Sequence, residues 1–211
     1  MHSERVGWRL GLRMLAASLS AIITLTTAMT AWAGSPGEAV VRGAIESMRA
    51  LPATKGHPTA RRKVLDSIDN SLALDLLAKE ALGPQWAKLN DAERRRFVAL
   101  LTESLEKLGY PRGAEALSQV KVTYLGGERT ASTEVVKTTI GDDGNDSGGR
   151  MPLDFAVARR GSRWQIVDVA MNGMSLSRVV STRVQDTLAK DGYQKLVEEL
   201  QRQVAAAGDD N

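Results

Sequence analysis

The apolar positions recur at two different periods along the chain, and the change between them divides it. Ser35-Pro36 supplies a capping residue followed by proline at the first helical position. Val40/Val41, Ala44/Ile45 and Met48 then recur at helical spacing until Leu51-Pro52, which predicts an amphipathic helix. After a loop at Lys55-Gly56-His57-Pro58, the positions Val64/Leu65, Ile68, Leu72, Leu76/Leu77 and Ala81 keep the helical period. A break is expected near Asn70-Ser71 and a stop at Gly83-Pro84. Asn90 with Glu93 three residues on makes a capping-box pattern. Phe97/Val98, Leu101, Leu105 and Leu108 give that helix its buried stripe as far as Gly109-Tyr110-Pro111, and a short helical or irregular piece follows to Ser118.

Beyond Ser118 the period drops to two. Val120, Val122 and Tyr124 alternate with Lys121 and Thr123, and Gly126-Gly127 is expected to turn the chain into a Thr- and Val-rich stretch from Thr130 to Ile140. Asp142 to Gly149 reads as a polar, glycine-rich hairpin loop. Leu153, Phe155 and Val157 alternate again, Gly161-Ser162 makes a tight turn, and Trp164, Ile166 and Asp168 follow in a strand apolar on much of both faces. After Asn172-Gly173, Leu176, Val179/Val180, Val184 and Leu188 predict one helix, and Leu196/Val197, Leu200 and Val204 another, before a frayed end at Ala205–Asn211. The expected class is α+β: helices, an antiparallel meander of about four strands, then two helices.

The N-terminus changes how the charge is read. The full 211-residue chain carries a formal charge of +3. Arg5, Arg9 and Arg13 precede an apolar run from Met14 to Ala31, and Ala31-Trp32-Ala33 has the small–x–small pattern that a signal peptidase cuts. Residues 1–33 are therefore expected to be a cleaved signal peptide and 34–211 a single exported domain. Without Arg5, Arg9, Arg13 and Glu4 the charge falls to +1, which gives no support for nucleic-acid binding. Arg61-Arg62-Lys63 and Arg94-Arg95-Arg96 read as solvated helix faces.

Little in the sequence supports reaction chemistry. There is no Cys, which excludes disulfides, thiol nucleophiles, iron–sulfur clusters and a lipidated N-terminal cysteine. No glycine-rich phosphate loop is present, and His57 is the only histidine after residue 33, so neither a nucleotide cofactor nor a multi-histidine metal site is expected. Asp154 and Asp168 lie in strands among apolar neighbours; each reads either as a structural carboxylate or as the proton-transfer base of a cone-shaped isomerase or hydratase. Helices on both sides of the strands could cover one sheet face and leave either a filled core or an apolar cavity.

Two stretches carry a family resemblance. Leu82-Gly83-Pro84-Gln85-Trp86, then Asn90-Asp91-Ala92-Glu93-Arg94-Arg95-Arg96-Phe97, resembles the L-G-x-x-W and T-x-x-(Q/E)-R-x-x-F pattern of MlaC-type, or toluene-tolerance, proteins. Trp164 to Val169, Asn172-Gly173-Met174-Ser175 and Gly192 to Leu200 resemble that family's W-x-x-x-D, x-G-x-S and G-x-x-x-L-x-x-x-L half. The sequence departs from the pattern at Val167, where Tyr is often found, and at Leu72 or Leu74, where Phe is common. The resemblance implies a cone-like antiparallel sheet of the nuclear-transport-factor type, packed by N- and C-terminal helices around an apolar cavity. It also implies a non-enzymatic periplasmic carrier of phospholipid, working between an outer-membrane lipoprotein and porin complex and an inner-membrane ABC transporter to maintain outer-membrane asymmetry. A hopanoid or other polycyclic lipid is the alternative cargo. Strand alternation together with the resemblance nominates Val122, Tyr124, Val135, Phe155, Val157, Trp164, Ile166 and Met174 as pocket residues.

Overall fold

The computed structural model describes residues 34–141 and 149–207. The expected signal peptide with its cleavage point after Ala33, the Asp-rich loop at 142–146 and residues 208–211 lie outside the described residues.

Helix α1 (Pro36–Ala50) starts where the cap predicts, Ser35 Oγ accepting from the Glu38 N–H at 3.0 Å. Helices α2 (Pro58–Ser71) and α3 (Leu74–Leu82) are separated at the expected break, and the sheet explains it. Leu72 pairs with Ile166, the Ala73 N–H donates to the Ile166 carbonyl at 2.9 Å, and Gln165 Nε2 donates to the Leu72 carbonyl at 2.9 Å. The break is thus pinned to a strand edge. A short α4 (Gln85–Lys88), invisible to periodicity because it is one turn long, leads to α5 (Asp91–Ser104). Its capping box is complete: Asn90 Oδ1 accepts from the N–H groups of Ala92 and Glu93, and Glu93 Oε2 accepts from the Asn90 N–H. A widened π turn (Leu105–Gly109) then joins α5 to α6 (Tyr110–Ser118). Pro111 has no N–H to give a continuing ladder, and it falls in the first turn of α6, where none is needed.

Strands β1 (Lys121–Arg129), β2 (Thr133–Gly141), β3 (Met151–Arg160), β4 (Arg163–Met171) and the two-residue β5 (Met174–Ser175) form one antiparallel sheet in sequential order. The Gly126-Gly127 pair does not turn the chain. The register slips between Tyr124 and Gly126, so the glycines sit at a bulge and β1 runs on to Arg129. The reversal comes at Thr130–Ser132, where Thr130 Oγ1 accepts from the N–H groups of Ser132 and Thr133. The two expected C-terminal helices are present, end to end as α7 (Leu176–Ala206) and parted at Gly192, whose φ of 78° no right-handed helix residue adopts.

The helices cover one sheet face. Val136, Ile140, Leu153, Phe155, Val157 and Ile166 form a core with Val41, Ala44 and Ile45 of α1. Leu51, Leu65, Ile68, Tyr110 and Ala114 tie α1, α2 and α6 together, and a further cluster joins α3, α5 and α7 through Ala81, Leu82, Phe97, Leu101, Val184 and Leu196.

One polar residue belongs to the inner face. Glu134 on β2 is 1% exposed and sits at the N-terminus of α1. The Ser35 hydroxyl donates to Oε1, and the Gly37 N–H donates to Oε2 at 3.1 Å, so the carboxylate meets the positive end of the helix. A Cβ at position 37 would lie 2.5 Å from Glu134 Cδ, so only glycine allows this approach.

Candidate functional site

Between the sheet and the helices lies a cavity of about 370 Å³. That volume is within the range of roughly 300–1,000 Å³ usual for small-molecule sites. The sheet contributes Ile140, Leu153, Phe155, Ile166, Val169 and Met171. Ala44, Ile45 and Met48 of α1 and Gly113, Ala116 and Leu117 of α6 form one side, and Leu72, Ala73 and Leu77 of the α2–α3 region another. The first turns of α7 complete it with Leu176, Ser177 and Val180. The exposed members of this lining mark where it opens: Ala116 on α6, and Leu176 and Val180 on α7, which are 42% and 36% exposed. The cavity therefore opens between α6 and the start of α7.

The wall at Tyr110 is braced from behind by polar groups. The ring lines the cavity while the hydroxyl donates to Asp69 Oδ1 at 2.7 Å. Arg62 reaches Asp69 at 3.3 Å and Glu106 at 2.9 Å, so α2 and the π turn are held together just outside the apolar lining. Burial, and then Asp69, raise the pKa of the Tyr110 phenol, which keeps its proton. Burial also raises the Glu106 carboxyl, with a further push from the neighbouring Asp69. A carboxyl that holds its proton more tightly folded than unfolded adds stability at acid pH, and that stability is lost as pH rises through the folded value. Denaturant unfolding followed upward from pH 4.5 should show this loss, and Glu106→Gln should flatten it; equal slopes in parent and variant would remove Glu106 from the account. Asp75 works in the opposite window: the Arg160 guanidinium, in contact at 2.5 and 2.6 Å, holds its carboxyl below 3.8, so its contribution is lost as pH falls.

Six of the eight nominated residues share the helix-covered face. Phe155 and Ile166 line the cavity itself. Val157 is buried in the adjoining core, against which Val122, Tyr124 and Trp164 pack part-buried. Tyr124 lies beneath the Arg42 guanidinium, 3.6 Å from its ring centre, which ties β1 to α1. The structure places the other two elsewhere. Val135 pairs with Glu128 and Ala156 on the opposite face, because its neighbour Glu134 takes the inward position. Met174 on β5 is 63% exposed and outside the lining.

Most of the remaining lining comes from helices, as apolar stripes that the sequence shows without saying what they face. Val167, where the family pattern often has Tyr, borders the cavity, and of the two positions Leu72 or Leu74 where it commonly has Phe, Leu72 does. Val167 does so because it is the extra residue of a second bulge, at which Val157 faces Ile166 and Ala156 faces Asp168.

Both nominated carboxylates have backbone donors. Asp154 Oδ1 accepts from the Thr138 N–H at 3.3 Å. Asp168 Oδ1 accepts from the N–H groups of Val169 and Ser177, joining β4 to the first turn of α7. Among the described residues no group of three or more His, Asp or Glu is placed to hold a metal ion.

Fold and cavity together define the class: an α+β binding protein whose site is apolar. The family model for MlaC protein matches residues 38–202, and the chain belongs to that family. A solved structure of a phospholipid-binding protein from Ralstonia solanacearum, in complex with a phospholipid, matches with a TM-score of 0.64 at 20% identity, covering 82% of this chain and 99% of that one. No curated protein matches this chain.

Proposed function

We propose that the protein is a periplasmic lipid carrier, which takes phospholipid acyl chains into the cavity between sheet and helices and moves them between an outer-membrane complex and an inner-membrane ABC transporter. The observation that carries this reading is the apolar cavity, open between α6 and α7. The family and the phospholipid held by the Ralstonia protein support it.

The physical need is large. Two acyl chains crossing water expose apolar surface worth about 0.8 kcal/mol per CH₂, on the order of 20 kcal/mol in all. An enclosed apolar site removes that barrier without any reactive group. At about 30 Å³ per water-sized group, 370 Å³ takes on the order of a dozen methylenes. The remaining chain length lies along the mouth, where Leu176 and Val180 supply exposed apolar surface.

Native mass spectrometry of protein purified from the periplasm, with solvent extraction of whatever it carries, tests this reading. A bound mass of a two-chain phospholipid is expected. A protein that stays empty after incubation with phospholipid vesicles would overturn the proposal, and a polycyclic lipid in the extract would reassign the cargo.

A further inference from the structure

Exposed apolar side chains are concentrated in one place. Of the six large hydrophobic residues that stand in solvent among the described residues, four fall within the seven residues from Met174 to Val180: Met174, Leu176, Val179 and Val180. Leu176 and Val180 rim the cavity, whereas Met174 and Val179 are not part of its lining. Those two border a surface groove that they share with Arg178 and Arg183. The Asn172-Gly173 turn, both residues at positive φ, brings Met174 there from the sheet. On α7, Leu176, Val179, Val180 and Arg183 follow one another at three- and four-residue steps, so one helix face carries all four. Neither guanidinium forms an ion pair among the described residues. Asp186, Lys190 and Asp191 border the groove too, but more than a turn farther along α7 than Val180, so the charges of the groove nearest the apolar group are positive.

We propose that this face is a peripheral docking site for an anionic phospholipid bilayer, on which the protein rests while an acyl chain passes between bilayer and cavity. The inference rests on the lipid-carrier reading above. A contiguous group of exposed apolar side chains marks an interaction site, and this one is continuous with the rim of the cavity through Leu176 and Val180. That continuity favours a lipid surface as the occupant. Met, Leu and Val side chains entering the boundary between head groups and acyl chains lose water-exposed apolar area, while flanking guanidiniums meet lipid phosphates. Among the described residues no helix is long and apolar enough to cross a membrane, so the contact is superficial and reversible. Docked this way, the opening between α6 and α7 faces the bilayer, and a chain moves from one apolar phase to the other without crossing water.

The test is co-sedimentation of the protein purified from the periplasm with vesicles of phosphatidylcholine alone, or of phosphatidylcholine and phosphatidylglycerol in equal parts. At low salt the anionic vesicles should retain about fivefold more protein, an advantage that shrinks as salt is added. Replacing Arg178 and Arg183 together with Gln should remove the preference. Met174→Glu combined with Val179→Glu should weaken binding to the anionic vesicles about tenfold and slow lipid uptake from them to a similar degree. Both positions are exposed and outside the cavity lining, so this variant should melt with the parent and fill to the same extent from detergent-dispersed phospholipid, as counted by native mass spectrometry. Equal binding of the parent to both kinds of vesicle, or binding and uptake that survive the Met174 and Val179 substitutions, would overturn the proposal. A parent that fills from detergent-dispersed phospholipid but sediments with neither vesicle keeps the carrier reading, rejects the bilayer and leaves this face to a protein partner. If the parent fills from neither source, the carrier reading itself falls, and this inference with it.

Discussion

Replacing Gly113 with Leu is expected to abolish lipid loading while leaving the protein folded. Gly113 lies on α6 and lines the cavity, and a Cβ there would sit 3.8 Å from Met48 Sδ and 3.9 Å from its Cε, an ordinary contact. The substitution adds four carbons, roughly 120 Å³ at about 30 Å³ per such group, which is about a third of the 370 Å³ available. Glycine in a helix interior is about 0.8–1.0 kcal/mol worse than alanine, with leucine close to the latter, so the helix itself gains. The sign of the stability change discriminates between a void and a filled core. Inserting methylenes into a filled core loses about 1–3 kcal/mol, whereas inserting them into an empty cavity need not. Native mass spectrometry should find the variant without lipid, and thermal unfolding should place it at or above the parent. A variant that unfolds earlier, or that loads lipid as the parent does, would show that this space is not where the chains lie.

The largest loss of stability is expected at Glu134. Its carboxylate is enclosed between β2 and the start of α1, where it takes donors from Ser35 and Gly37. Glu134→Ala leaves the buried Ser35 O–H and Gly37 N–H without their acceptor and opens a hole beside them, for a loss of about 3 kcal/mol. Gly37→Ala attacks the same contact from the other side, since a methyl group 2.5 Å from the carboxylate carbon can be placed only by moving β2 or α1. Both variants should lower the midpoint of thermal unfolding by about 6–12 °C, at roughly 2–4 °C per kcal/mol for a domain of this size. Glu134→Gln, which still accepts from Gly37, should fall between. A midpoint within a degree or two of the parent for Glu134→Ala would mean that the contact is not maintained in solution.

These two positions also show where sequence reasoning stops. The helices were legible because their ends are chemically marked: Ser35-Pro36, Asn90 with Glu93, and Gly83 all lie at boundaries that the structure keeps. The change of period near Ser118 placed the sheet after the first helices. At β2 the alternation misleads, because Glu134 takes the inward position that a hydrophobic residue would ordinarily hold and so inverts the reading of Val135. Only the distant Ser35 and Gly37 make a carboxylate tolerable there, and nothing local announces them. Gly126-Gly127 raised the same ambiguity in another form, since a glycine pair serves a bulge as readily as a turn. The cavity was the least legible feature. Periodicity shows that Met48, Leu72 and Val180 lie on apolar helix stripes, but a side chain that meets another and one that borders a void carry the same signal.

The break at Gly192 gives α7 two unequal fates. Beyond it Leu196, Val197 and Val204 are buried, the first of them against the α3–α5 cluster, while before it Val184 is the one fully buried residue and Leu176, Val179 and Val180 stand in solvent. The free energy of local opening follows that asymmetry, being set by the apolar contacts a segment surrenders. Gly192 interrupts the helical ladder, so the N-terminal half can peel from the mouth without drawing the C-terminal half off α5. The half that borders the cavity is thus the cheaper one to displace, and a bulky cargo could be admitted or released by a partial excursion well below the global unfolding barrier.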